Sequence, residues 1–344
     1  MMILYTTMSV NTQRSYVNKI STLRNKYDVK DLNNVEDVIL KISNHGAYHL
    51  RSCICSILWW NKNVKMNIWD GNFQELDELV IEKYKKKLSD THGNDIYNGV
   101  ATFVQSKKMT SWKNIIELRN DIIEDNPFSL NALIISLYTF IPPRRLEYSD
   151  MFYIDECDEK ITEDSEKNYC VKDGDNMYLI FNNYKSRRTV GRVRYDIPDK
   201  LKNIIVGYVE KNNINNNEPL LNISRNSLNI RLNKIFDGLL KEDELLCEDN
   251  DQEKKEELSE SDGFSVQILR HIYATWIYIH SKNISPGMWI KIALLMGHTF
   301  EGHVSYSKHL NVIYEVNDDF FKFEIQPIFD INVKRLKSDI VIKK

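Results

Sequence analysis

Apolar residues recur at three- and four-residue intervals along most of this 344-residue chain, and that spacing commits it to packed amphipathic helices. Tyr16, Val17, Ile20 and Leu23 follow it within a helix predicted over 9–27. Further helices are predicted over 35–42, 49–61 and 73–88, the last with Leu76, Leu79, Val80, Ile81 and Tyr84 as its apolar residues. The pattern returns over 111–122, 130–140, 198–209, 224–240, 268–280 and 288–296. Only 178–181 and 190–197 are β-rich, and with Pro198 closing the second run they read as a hairpin. The expected fold class is mainly α with a small β-hairpin or sheet, α+β.

The length suffices for two domains. A boundary near 105–110 is expected, separating a helical region 1–105 from a second domain over 110–344. In that second domain the apolar run from Leu130 ends at Ile141-Pro142-Pro143. Two prolines cannot continue a helix, so Arg144, Arg145 and Glu147 are projected from a rigid corner.

Charge is unevenly placed. The formal net charge is −3, but residues 242–262 hold eleven acids and two lysines. The remainder is therefore net positive, and local basic patches, not the total, govern attraction to phosphates. The acidic stretch has few apolar residues and is expected to be a disordered insertion. The five cysteines, Cys53, Cys55, Cys157, Cys170 and Cys247, lack metal-ligand spacing and read as free thiols in a reducing compartment. No charged segment followed by an apolar run marks a signal peptide, and the longest apolar run, 130–141, is too short to span a bilayer. No metal or other cofactor is implied.

The most chemically suggestive stretch is 264–309. Ile268, Leu269, Ile272, Tyr273, Trp276 and Ile277 form a helical stripe, and Arg270 lies off it, where its guanidinium could be aimed outward. Ser285-Pro286 reads as an N-cap followed by a first-turn proline. The helix 288–296 is apolar enough to be core and should stop at Gly297, fixing His298 just past its end. Singly, each of these residues has an ordinary structural reading: a surface Arg-His pair, a helix stop, one of eighteen tyrosines. The order Leu269-Arg270-His271, Ala274-Thr275, Leu295-Met296-Gly297-His298, then Tyr306 is much more specific.

That order resembles the catalytic domain of the tyrosine recombinase (phage integrase) family, and most of all divergent members carried by large DNA viruses, virophages and related mobile elements. The resemblance implies a helical DNA-gripping domain over 1–105 and a catalytic domain over 110–344 whose tail after 310 docks on a neighbouring protomer or on its own domain. It implies Arg270 as the second catalytic arginine, His298 as the histidine of the last motif and Tyr306 as the nucleophile. The first arginine is Arg145 if aligned as Pro-Pro-x-Arg, the favoured alignment, or Arg144 if aligned by Arg-x-x-Glu, with Glu147 a structural acid beside it. Lys185, in Phe181-Asn-x-Tyr184-Lys185, matches the hairpin lysine that protonates the leaving 5′-oxygen, with Arg187 and Arg188 as alternatives. Gln267 and His271 are expected to contact substrate phosphate. The family usually has a histidine where Gln267 stands; Gln can donate a hydrogen bond but cannot shuttle a proton.

The implied activity is site-specific cleavage and rejoining of double-stranded DNA through a 3′-phosphotyrosyl intermediate, by a homo-oligomer, dimer or tetramer, on DNA. Such a protein would work inside cells, at host or viral DNA, and neither in a membrane nor secreted. A type IB topoisomerase-like relaxing enzyme would share the same residues. A DNA-binding protein that has lost catalysis is the rival from another class, and a helical interaction protein with no DNA role requires the whole constellation to be accidental.

Overall fold

The computed structural model describes residues 10–44, 47–64, 76–93, 109–155, 162, 166–245, 264–280, 282, 284–299 and 318–336. The chain divides into two compact units, Met1–Asn98 and Gly99–Lys344.

The first unit contains α1 (Val10–Asn25), α2 (Val35–Ser43), α3 (Ala47–Val64) and α4 (Glu78–Gly93). Leu23, Val38, Ile42, Ile54, Ile57 and Tyr84 are fully buried and belong to one core. The Asn34 side chain accepts from Asp37 N and caps α2. Tyr84 buries its ring and donates to Leu32 O at 2.8 Å, which answers the cost of burying a hydroxyl. α4 starts at Glu78, later than the periodicity suggests, and Leu79 faces solvent. The buried stripe runs through Leu76 and Tyr84, with Val80 half-buried between them.

The second unit contains α5 (Trp112–Asp125), α6 (Leu130–Thr139), a 3₁₀ turn (Glu147–Asp150), β1 (Met151–Asp155), β2 (Asn168–Asp173), β3 (Asn176–Phe181), α7 (Arg187–Val190), β4 (Arg192–Asp196), α8 (Asp199–Asn212), β5 (Glu218–Pro219), α9 (Arg225–Leu245), α10 (Val266–Ile279), α11 (Pro286–Leu295), α12 (Asp318–Asp330) and β6 (Val333–Leu336). Ser111, Ser129, Ser265 and Ser285 each accept a backbone N–H at the start of α5, α6, α10 and α11, satisfying a donor that the helix itself leaves open. α6 is apolar on every side and buried from Ala132 to Thr139, as such a helix must be.

The mostly helical unit holds a six-stranded sheet in the order β5-β1-β2-β3-β4-β6, so the chain is α+β. The predicted hairpin is the antiparallel β3–β4 pair, with Phe181 opposite Val193. It is the middle of a larger sheet: β2 pairs β3, β1 runs parallel to β2, and β5 and β6 form the edges. Met151, Tyr153, Cys170, Leu179, Phe181, Val193 and Tyr195 join the helices in one core. Ile154, Tyr169, Val171, Tyr178 and Ile180, at the alternate positions, form a separate buried cluster.

Three sequence expectations meet a different outcome. Arg270 is not aimed outward; it is fully buried, because its guanidinium is held by carbonyl oxygens inside the unit. α11 is not core throughout, since Ile290 is 49% exposed while Ile292 and Leu295 are buried. α9 continues to Leu245, so the acidic stretch begins as helix, and 246–262 lies outside the described residues. The tail takes one of its two expected placements, with segment 318–336 packed on its own unit: Phe321, Ile325 and Ile328 enter the core, Glu324 pairs with the buried Arg119 at 3.4 Å, and β6 joins β4.

Cys53, Cys55 and Cys170 are free thiols, and Cys157 and Cys247 lie outside the described residues. Burial pushes the Cys170 thiol up to about 12. Among the described residues no helix is long and apolar enough to cross a membrane, and no three metal-ligating side chains gather.

Candidate active site at the end of α11

Three chain segments converge where α11 stops. Gly297 takes a left-handed φ of 68°. Its N–H bonds Leu294 O at 2.9 Å, and the His298 N–H bonds Ala293 O at 2.8 Å. These are the paired bonds of a Schellman cap, and they fix the backbone of His298 against the helix end. Two carbonyls of that end, Leu295 O and Met296 O, carry the negative pole of the helix dipole. Each receives a buried guanidinium.

Arg144 leaves the Pro142-Pro143 corner and donates from Nη1 to Leu295 O at 3.0 Å. Its Cζ lies 3.8 Å from the Phe181 ring centroid and 4.7 Å from that of Tyr184, so two aromatic rings hold the cation. Arg270, on α10, donates from Nη1 to Pro143 O at 2.7 Å and to Met296 O at 3.1 Å, and its Nη2 donates to His298 Nε2. A guanidinium can only donate, so His298 Nε2 accepts and the neutral ring carries its proton on Nδ1. Arg144 and Arg270 are fully buried and His298 nearly so. Burial opposes the Arg144 charge, but the Tyr195 oxygen and the Glu147 carboxylate outweigh it, and the group is held above its ordinary value. Tyr195 is itself pushed up to about 12 by burial.

The guanidinium that meets the end of α11 is that of Arg144, the residue in Arg-x-x-Glu spacing, whereas the Pro-Pro-x-Arg alignment favours Arg145. Arg145 is half-buried, and its carbonyl accepts from Tyr138 Oη at 2.6 Å. Gln267 is exposed on the first turn of α10, its amide nitrogen 3.5 Å from His271 Nε2 one turn further on. Lys185 is exposed on the β3–β4 connection. It follows Tyr184, which stacks on Arg144, so the same short segment serves both cations. Arg187 and Arg188 lie in α7 on that connection. Tyr306 and His309 fall outside the described residues.

One residue with no signal in the sequence ties these parts together. Asn168, at the start of β2, is fully buried. Its oxygen accepts from Asn182 N at 3.0 Å and Asn183 N at 2.9 Å, and its amide donates to Asn183 O at 3.0 Å and Glu147 O at 3.4 Å. It joins the turn after Arg144 to the connection that carries Lys185. Asn168→Ala is expected to leave two buried groups, Asn182 N and Glu147 O, unpaired and to cost about 2–6 kcal/mol, at about 1–3 kcal/mol per orphaned buried group. Denaturant unfolding checks the stability, and faster trypsin cleavage after Lys185 checks the loosened segment. Asn168→Asp retains the acceptor but not the donor and should fall between.

No protein-family model matches the chain, and no curated protein matches its sequence.

Proposed function

We propose that this protein cleaves and rejoins double-stranded DNA by the covalent tyrosine mechanism that its motifs resemble. The observation that carries the reading is Arg144: a fully buried cation beside Arg270 and His298 that has the Tyr195 hydroxyl for company but whose Nε and Nη2 meet no carbonyl or carboxylate oxygen among the described residues. A native structure rarely leaves such donors open without a use, and a non-bridging phosphate oxygen accepts well from a guanidinium fork.

In this mechanism the Tyr306 phenol oxygen attacks the scissile phosphorus and its proton passes to solvent water, since Gln267 is no base. The bond from phosphorus to the 5′-oxygen breaks as the 3′-phosphotyrosyl bond forms. Lys185 gives a proton to the departing 5′-oxygen. Arg144 and Arg270 hold the non-bridging oxygens as charge shifts onto them, which is electrostatic stabilisation by fixed donors, and His298 steadies the same phosphate. The covalent bond keeps the energy of the phosphodiester, so the step reverses with a 5′-hydroxyl as nucleophile. Glutamine at 267 removes a proton acceptor from the usual set and favours one second reading, a DNA-binding protein without catalysis. The finer assignments, a homo-oligomer on DNA and a site-specific recombinase rather than a relaxing enzyme, belong to the same proposal.

A first test separates DNA chemistry from its absence. Affinity for duplex DNA should fall steeply as salt rises, with a log–log slope set by the number of phosphates neutralised. A protein–DNA species should also survive denaturant. A chain that ignores DNA at low salt contradicts the proposal; binding without the covalent species selects the second reading.

A further inference from the structure

We infer that Gly297 is a positioning residue for Arg144: the missing side chain at the α11 cap is the seat of the guanidinium. This rests on the reading of Arg144 as a phosphate-holding group. Two independent features of Gly297 meet at one atom. Its φ of 68° is the left-handed conformation that closes the helix, and a glycine there needs no further reason than the cap. Yet a Cβ at this position would lie 2.6 Å from Arg144 Nη2 and 3.1 Å from Arg144 Cζ. The guanidinium therefore occupies the volume a side chain would take.

The geometry around Arg144 decides what yields. The backbone of Gly297 is pinned by its own N–H and by that of His298. The Arg144 head is the free end of a long side chain, so it moves before the cap does. It is also confined by the Phe181 ring at 3.8 Å and by its bond to Leu295 O at 3.0 Å. A methyl group at 297 thus pushes Nη2, one of the two open donors, off its line while leaving the fold in place. A misplacement near 1 Å of a group that orients a reacting centre costs on the order of 10²-fold in rate.

The test uses the full chain with Gly297→Ala and Gly297→Asn. Asparagine accepts the left-handed backbone far better than alanine, but both carry the Cβ, so backbone strain and crowding give different orders. The direct readout is the Arg144 Nε–H resonance, identified by its loss in Arg144→Lys and displaced by ring current from Phe181. Both variants should move that signal by similar amounts and slow adduct formation on nicked DNA on the order of 10²-fold. Adding Arg144→Lys to Gly297→Ala should then cost little more, although Arg144→Lys alone costs as much as either. An unmoved Arg144 signal, or an Asn variant close to wild type while Ala fails, overturns the inference. Should Ala not fold, Asn alone decides. If the unaltered protein forms no adduct, the proposed function falls, and the resonance still decides the placement of Arg144.

Discussion

Arg270→Ala is expected to lower the rate of DNA strand cleavage by about 10²–10³, the usual cost of losing one preorganised donor at a developing oxyanion. The residue acts twice. Its Nη1 satisfies Pro143 O and Met296 O, and its Nη2 holds His298 in the Nδ1–H tautomer. Alanine would remove the proposed phosphate clamp and also strand two buried carbonyls, at about 1–3 kcal/mol each. Arg270→Lys keeps the charge but cannot span three acceptors from one plane, so it should recover part of the stability and little of the rate. Single-turnover cleavage, normalised to the folded fraction from thermal melts, separates the two roles. A normal rate per folded molecule would leave Arg270 as scaffold only.

Trp112→Ala carries a large expected loss of stability, about 3–5 kcal/mol for a buried tryptophan truncated to alanine. Trp112 opens α5 and is 3% exposed. Its ring meets Tyr273 edge-on at 4.9 Å and stacks on Trp276 at 5.7 Å, both on the helix that carries Arg270. Trp276 in turn packs on Phe321 of α12 at 5.0 Å. One truncation thus opens a cavity beneath three helices. Tyr278, on the same α10 but 41% exposed, is the control: Tyr278→Ala should shift stability by less than about 0.5 kcal/mol. Guanidinium unfolding of both variants tests the contrast, and equal shifts would place Trp112 outside the core.

The difference between those two side chains was partly legible in the sequence. Helices carry a periodic apolar signal, and α5, α6, α8, α10 and α11 lie within a few residues of their expected spans. The strands around the hairpin were harder. β1 and β5 meet across more than sixty residues, and β6 joins β4 from far along the chain; such pairings leave no local trace. β2 did leave one, since Asp173-Gly174 is a tight-turn dipeptide between two short runs, Tyr169-Cys170-Val171 and Met177 to Phe181, that are buried at consecutive positions.

In the candidate site, the residue types were legible and their geometry was not. A run of Pro142-Pro143-Arg144-Arg145 states that a cation leaves a rigid corner, but not which arginine turns inward. Burial settles that placement: Arg144 lies under Phe181 and Tyr184, whereas Arg145 is only half-buried. Arg270 misled for a related reason. A charged residue off an apolar stripe normally faces water, and here it is drawn inward by carbonyls from two distant segments. Asn168 could not be found from sequence, because its role depends on four backbone groups that only the fold assembles.

The most direct measurement of the central claim incubates the protein with a nicked suicide duplex, from which the cleaved fragment diffuses away and rejoining is blocked. A denaturing gel and peptide mapping follow. The account predicts a DNA-linked species joined at Tyr306, lost in Tyr306→Phe and strongly reduced in Arg144→Ala and Arg270→Ala. Tight, salt-sensitive DNA binding on many sequences with no covalent species, or an adduct that survives Tyr306→Phe, would contradict it.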